Sequence, residues 1–178
     1  MTFTAFESDI QLAAGDLASV SRAVVEAQAK GAARVLIVND ETGAQTDPDL
    51  HASSSAHGPE KPSRGRPRLG VVAREVTLLP RHWDWLSEQP GGASAALRRL
   101  VEEARRANAP ADQARRTQTA VYRAMSALAG DRPGFEEALR ALYAADDAHF
   151  DALIADWPPD IRAYVARLSA IHRAARMA

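Results

Sequence analysis

The residues best able to do chemistry are arginines, and they crowd the middle third of the 178-residue chain. Lys61-Pro62-Ser63-Arg64-Gly65-Arg66-Pro67-Arg68 is a short basic run in which glycine separates two guanidinium groups. An extended Arg-Gly-Arg fits a narrow minor groove. Glycine adds no bulk at the groove floor, and A·T tracts offer enhanced negative potential there. Arg74 and Arg81 follow, and Arg98, Arg99, Arg105 and Arg106 recur at helical spacing. The overall charge of −1 hides this concentration: residues 1–60 carry −6, residues 61–116 carry +6, and residues 117–178 carry −1. A basic block inside an acidic chain finds its natural partner in a polyanion. The same block also suits a solvated, arginine-rich helix face.

Other chemistry is thinly represented. Asp146, Asp147, Asp151 and Asp156 gather near His149, and Asp147 and Asp151, four apart, share a helix face that could hold a cation or simply meet solvent. Glu136 and Glu137 suit the first turn of a helix, where acids complement its dipole. His51 and His57 have no third ligand at metal-site spacing. There is no cysteine, which excludes a disulfide framework, a thiolate metal site and a thiol nucleophile. No phosphate-binding Gly-rich loop, Gly-x-Ser-x-Gly or His-Glu-x-x-His occurs. The expectation is a protein with no catalytic residues, no metal and no cofactor. The first residues lack a signal-peptide pattern, and no apolar run reaches membrane-spanning length, so a cytoplasmic location and no membrane partner are expected.

The elements that must position these residues follow from hydrophobic spacing. Phe3 and Ala5, then Ile10 and Leu12, mark one or two short strands. Gly15-Asp16 opens a helix with Leu17, Val20, Val24 and Ala27 on one face and Gly31 at its end. Residues 35–38 (Val-Leu-Ile-Val) form a buried strand, residues 39–43 a turn, and residues 45–50 a returning strand. Residues 51–63 are small, polar and proline-containing, which is linker composition. A strand is expected over residues 69–79, ended by Pro80, and a short helix over about 81–89. A second helix starts near Ser94, has Leu97, Leu100, Val101 and Ala104 inward, and is closed by Asn108-Ala109-Pro110. Helices over about 111–129, 135–143, 150–154 and from Trp157-Pro158-Pro159 onward complete the chain. Val121, Met125, Leu128, Phe135, Leu139, Leu142, Tyr143, Phe150, Leu153, Ile154, Ile161, Tyr164, Val165, Leu168 and Ile171 are the expected inward faces.

Two local resemblances bear on function. Residues 61–68, centred on Arg64-Gly65-Arg66-Pro67, resemble the AT-hook, whose partner is minor-groove DNA. The strand–helix–helix order of residues 71–106 resembles the bacterial ribbon-helix-helix DNA binders. Leu79-Pro80 stands at the strand exit, Gly91-Gly92 at the turn, and Ser94 at the start of the second helix. That resemblance implies a strand ribbon shared by two subunits, hence a homodimer, and a phosphate held at the helix start near Ser94. The alternate strand positions counted back from Pro80 are Leu78, Val76 and Arg74, so only Arg74 offers a polar reader of bases.

Across most of its length the chain is similar to the bacterial family called domain of unknown function 2239. The residues that carry this are 64–70, 73–83 and 89–94, together with Gly134-Phe135-Glu136-Glu137 and Trp157-Pro158. The resemblance implies no activity and no catalytic residue.

The expected architecture is α+β: an N-terminal α/β unit (1–50), a linker (51–63), a basic strand–helix–helix module (64–108) and a C-terminal helical bundle (109–178). The expected function is DNA binding, as a regulator or nucleoid-associated protein. Arg64, Gly65, Arg66, Arg68, Arg74, Arg81, Ser94, Arg98, Arg99, Arg105 and Arg106 would form the contact. The alternative is an interaction module whose helical bundle docks a protein partner.

Overall fold

A computed structural model describes residues 1–32, 34–48, 72 and 74–178. The fold is α+β. In chain order its elements are β1 (Phe3–Glu7), β2 (Ile10–Gly15), α1 (Leu17–Ala29), β3 (Val35–Asn39), β4 (Gln45–Thr46), α2 (Pro80–Ser87), α3 (Gly92–Ala129), α4 (Phe135–Ala144), α5 (Asp147–Leu153) and α6 (Pro159–Met177). They divide into two compact units. Met1–Ser54 and Pro110–Ala178 form the first, and Ser55–Ala109 the second. Residues 1–48 and 110–178, far apart in the chain, thus meet in one unit.

The first unit is built on an antiparallel sheet of order β2-β1-β3-β4. Side chains alternate across a strand, and here both faces are covered, so β3 reads as an apolar run over residues 35–38 and β1 is buried from Phe3 to Phe6, Thr4 included. Phe3, Ala5 and Ile37 point to one face and cluster with Val20 and Val24 of α1. Phe6 and Val38 point to the other and join Val121, Met125, Leu142, Phe150, Ile161 and Val165 from the helices. Complete burial of a side chain such as Phe6 stabilises the fold by about 1.5–3 kcal/mol. Asp16 caps α1 by accepting from the Ser19 amide at 2.9 Å, which satisfies an otherwise orphan donor. The start of α6 is tied to the sheet by Asp160, whose carboxylate accepts from the Gln11 amide at 2.8 Å.

The turn between β3 and β4 is specified residue by residue. The Asn39 side chain accepts from the amides of Glu41 (2.9 Å) and Thr42 (3.0 Å), and the Gly43 amide donates to the Asn39 carbonyl at 2.8 Å. Gly43 has φ +66°, and a Cβ there would lie 2.2 Å from the Ala120 carbonyl oxygen of α3. Only glycine lets this turn press against the helix. Beside it, the Asp40 side chain, 8 % exposed, faces an Arg167 guanidinium at 3.4 Å. It accepts from Thr4 Oγ1 at 2.8 Å and from the Tyr164 hydroxyl at 3.1 Å. Burial, and then Asp40's charge, raise the Tyr164 pKa above its ordinary value, which keeps the hydroxyl a donor.

Several expectations are corrected. Asn108-Ala109-Pro110 does not end a helix, because α3 runs unbroken through Pro110. Proline there removes one amide donor, but residues 103–111 are all exposed, so water can satisfy the freed carbonyl. Alanines at 104, 107, 109 and 111 favour helix. Asn108 donates its side-chain amide to the Ala104 carbonyl at 2.7 Å instead of starting a turn. The strand expected over 69–79 is not formed where it can be seen. Residues 74–79 form no regular element and belong to no sheet among the described residues; Leu79, just before α2, is extended at φ −67°, ψ 150°. Tyr143 (58 %) and Ile171 (47 %) are exposed. His172, not Ile171, continues the buried face of α6.

Asp147 and Asp151 hold neither a cation site nor a free acidic face. Arg173 bridges both, and Arg176 pairs with Asp147 at 2.7 Å. No cluster of metal-ligating side chains occurs among the described residues. No described helix is long and apolar enough to cross a membrane.

Candidate nucleic-acid interface

The basic residues chosen from sequence fall into three groups. Arg64, Gly65, Arg66 and Arg68, with the linker 51–63, lie outside the described residues. Arg74 is exposed in the segment before α2, and Arg81 is exposed in the first turn of α2. Ser94, Arg98, Arg99, Arg105 and Arg106 lie on α3, all exposed.

On α3 the geometry is set by the 100° step between successive residues. Arg98 and Arg105 are seven apart and share an azimuth, as do Arg99 and Arg106, so the four arginines fill a sector of about 120° over about 12 Å of helix. Glu102 is the one carboxylate inside that sector. It takes Arg105 through two bonds at 2.6 and 3.1 Å and approaches Arg106 at 3.5 Å. The Arg105 guanidinium pulls the Glu102 carboxyl below the usual carboxylate range. These pairs are solvent-exposed, so a polyanion can displace the carboxylate. Arg98 folds back on its own helix, donating to the Ser94 carbonyl at 3.1 Å and to its hydroxyl at 3.4 Å. Arg99 makes no hydrogen bond or ion pair among the described residues.

The helix start differs from the expected phosphate pocket. α3 begins at Gly92, and Ser94 lies inside its first turn with its hydroxyl taken by Arg98. The Gly92 amide is satisfied by the Gln89 carbonyl at 2.9 Å. Ser94 is therefore on the basic face but is not a cap.

The apolar side of the same module is scarcely covered. Only Leu86 and Ala96 are buried apolar residues among the described part of the second unit. Leu100 and Val101, expected inward, are exposed, as are Val76, Leu79, Trp83 and Trp85. Leu78, Trp85, Leu86, Leu97 and Leu100, with Arg81 and His82, line a cleft of about 270 Å³. Periodicity located this face correctly as apolar. It could not show that no described residue of the unit lies over it.

The chain is thus an α+β protein with a sheet-and-helix unit and a second unit that presents an arginine face and, among the described residues, an exposed apolar face. It belongs to the family described as uncharacterized proteins conserved in bacteria (DUF2239), which it matches over residues 2–169. No curated protein and no solved structure matches it.

Proposed function

We propose that the chain is a bacterial DNA-binding protein that acts as a homodimer and contacts the duplex through the basic face of α3. The observation that carries this is the convergence of Arg98, Arg99, Arg105 and Arg106 on one exposed sector, with a single carboxylate among them. Arg74, Arg81 and the Arg64-Gly65-Arg66-Pro67-Arg68 run add guanidinium groups to the same module.

The dimer follows from the apolar side. Among the described residues of the second unit only Leu86 and Ala96 are buried apolar side chains, while Val76, Leu79, Trp83, Trp85, Leu100 and Val101 are exposed, a surface suited to a partner. A second copy laid against Val76, Leu79, Trp83, Trp85 and Val101 would cover this surface. It would also offer residues 74–79 a strand to pair with. The same exposed face favours the second reading, a module that binds a different protein. The α6 stripe Ile161, Tyr164, Val165 and Leu168 is core, as its spacing led one to expect, so such a partner would use the second unit.

Fluorescence anisotropy with a short duplex tests the proposal. Affinity should fall steeply with salt, by a log–log slope of about −0.9 per phosphate neutralised. Replacing Arg98, Arg99, Arg105 and Arg106 by alanine should flatten that slope by about 3 to 4 units. Absence of a complex at low salt, or an unchanged slope in the fourfold variant, would remove the assignment. Analytical ultracentrifugation of Val76→Asp against the parent separates the readings, since a self-associating face should give a dimer that this change dissociates.

A further inference from the structure

The first unit contains a cleft that the nucleic-acid reading does not use. It lies between the 39–43 turn, the second half of α3 and the middle of α6, and its volume is about 730 Å³. That is within the range of about 300–1,000 Å³ typical of small-molecule sites and far too confined to admit a duplex. Four arginines line it, Arg115, Arg116, Arg123 and Arg167, against three carboxylates, Asp40, Glu41 and Asp112.

The pairing decides what these charges can do. Arg115 is bound by Asp112. Arg167 lies over the Tyr164 ring, 5.0 Å from its centroid, and pairs with Asp40. Arg116 has no hydrogen bond or ion pair among the described residues. Arg123 has only a long contact of 3.5 Å to the Thr42 carbonyl. Seven residues apart on one helix, Arg116 and Arg123 share an azimuth about 10 Å apart along the axis. Two such guanidinium groups can grip two neighbouring phosphoryl groups through paired donors. Across the cleft, α6 contributes the apolar Leu168 and the half-exposed Ile171 beside Arg167, while Ala120 lies on α3 between the two arginines.

The walls are also held in place. Gly43 is pressed against the Ala120 backbone, and the Asp40 network fixes Arg167. A site whose walls are set before binding loses less freedom on capturing its ligand.

We propose that this cleft binds a small organic phosphate, of the size and kind of a nucleoside diphosphate. Arg116 and Arg123 hold the phosphoryl groups, and the Ile171 side receives the apolar portion.

Isothermal titration of the full chain with ADP, pyrophosphate and adenosine tests this, alongside duplex DNA binding measured on the same variants. ADP should bind saturably and more tightly than either pyrophosphate or adenosine. The double variant Arg116→Ala/Arg123→Ala should weaken ADP binding at least about tenfold with an unchanged melting temperature. Ile171→Ala should weaken ADP binding but leave pyrophosphate unaffected. DNA affinity should be insensitive to Ile171→Ala. The proposal is overturned if neither ADP nor pyrophosphate binds at millimolar concentration. It is equally overturned if the double variant binds ADP as the parent does. Loss of DNA binding in the double variant without any small-phosphate binding would assign these arginines to the nucleic-acid surface instead.

Discussion

Replacing Asp40 by alanine should be among the most damaging single changes in the first unit. Its carboxylate accepts from two buried hydroxyls, Thr4 Oγ1 at 2.8 Å and Tyr164 Oη at 3.1 Å, and faces Arg167 at 3.4 Å. Thr4 is fully buried and Tyr164 nearly so. Removing the shared acceptor strands both donors, at about 1–3 kcal/mol each. Arg167 is about half exposed and regains water, so it adds little, under about 1 kcal/mol. The expected loss is therefore about 3–5 kcal/mol, a large part of the roughly 5–15 kcal/mol that holds a typical domain.

Tyr164→Phe removes one donor and leaves the carboxylate two partners, so its cost should be near 1 kcal/mol. In the double variant no tyrosine hydroxyl remains to be stranded. Asp40→Ala/Tyr164→Phe should then be less destabilised than the sum of the two, by about 1–2 kcal/mol. Urea unfolding followed by far-ultraviolet circular dichroism and, in a Trp83→Phe/Trp85→Phe background, by Trp157 emission reads this out. Because the chain has two units, coincidence of the two probes must be checked before a single free energy is assigned. A loss below about 1 kcal/mol for Asp40→Ala, or strict additivity, would refute the argument that this carboxylate is a shared buried acceptor.

Gly43→Ala forces a left-handed backbone on alanine and drives a Cβ to 2.2 Å from the Ala120 oxygen; it should cost more than about 2 kcal/mol, and a thermal melt within a degree of the parent would contradict the packing. Pro110→Ala restores an amide inside a continuous helix, so helicity and melting temperature should rise, by up to about 3 kcal/mol of stability; no gain would mean that α3 breaks there. His172 is buried, with Nδ1 3.1 Å from Thr117 Oγ1 and Nε2 unpartnered. Burial first, then the neighbouring Arg176, lowers its pKa, with Arg173 acting in the same sense and Asp147 opposing. The unfolded chain then takes up a proton that the folded chain refuses. This contribution to stability is complete above the ordinary histidine value of about 6.5 and declines as pH falls through it toward the folded value. His172→Asn keeps an N–H for Thr117 without titrating. The parent's melting temperature should therefore drop more than the variant's between about pH 7.5 and 5.5, and parallel curves would count against the assignment.

Local patterns carried much of this fold. The glycine and aspartate before α1, the unbroken Val35–Val38 run and the 3.6-residue stripes of α3 and α6 each encode structure over a few residues. For those the backbone period and capping chemistry are enough. The arginine face of α3 was legible for the same reason, since azimuth on a helix follows from spacing alone. Failures came where a neighbour decides. Spacing allows either Ile171 or His172 on the inner face of α6; hydropathy favours isoleucine, but Thr117 on α3 supplies a partner for the imidazole. Pro110 reads as a stop, yet solvent and helix-favouring alanines carry the helix through it.

What the chain order alone decides here is the class of most elements, the basic character of residues 61–116 and the faces that are apolar. These depend on interactions among residues within about a dozen positions of one another. The Asp40–Thr4–Tyr164–Arg167 network joins residues up to 163 positions apart, and the cleft with its two uncommitted arginines draws on the N-terminal turn and two distant helices. Only packing brings such groups together, because the free energy that places them comes from closing the core and not from any local preference.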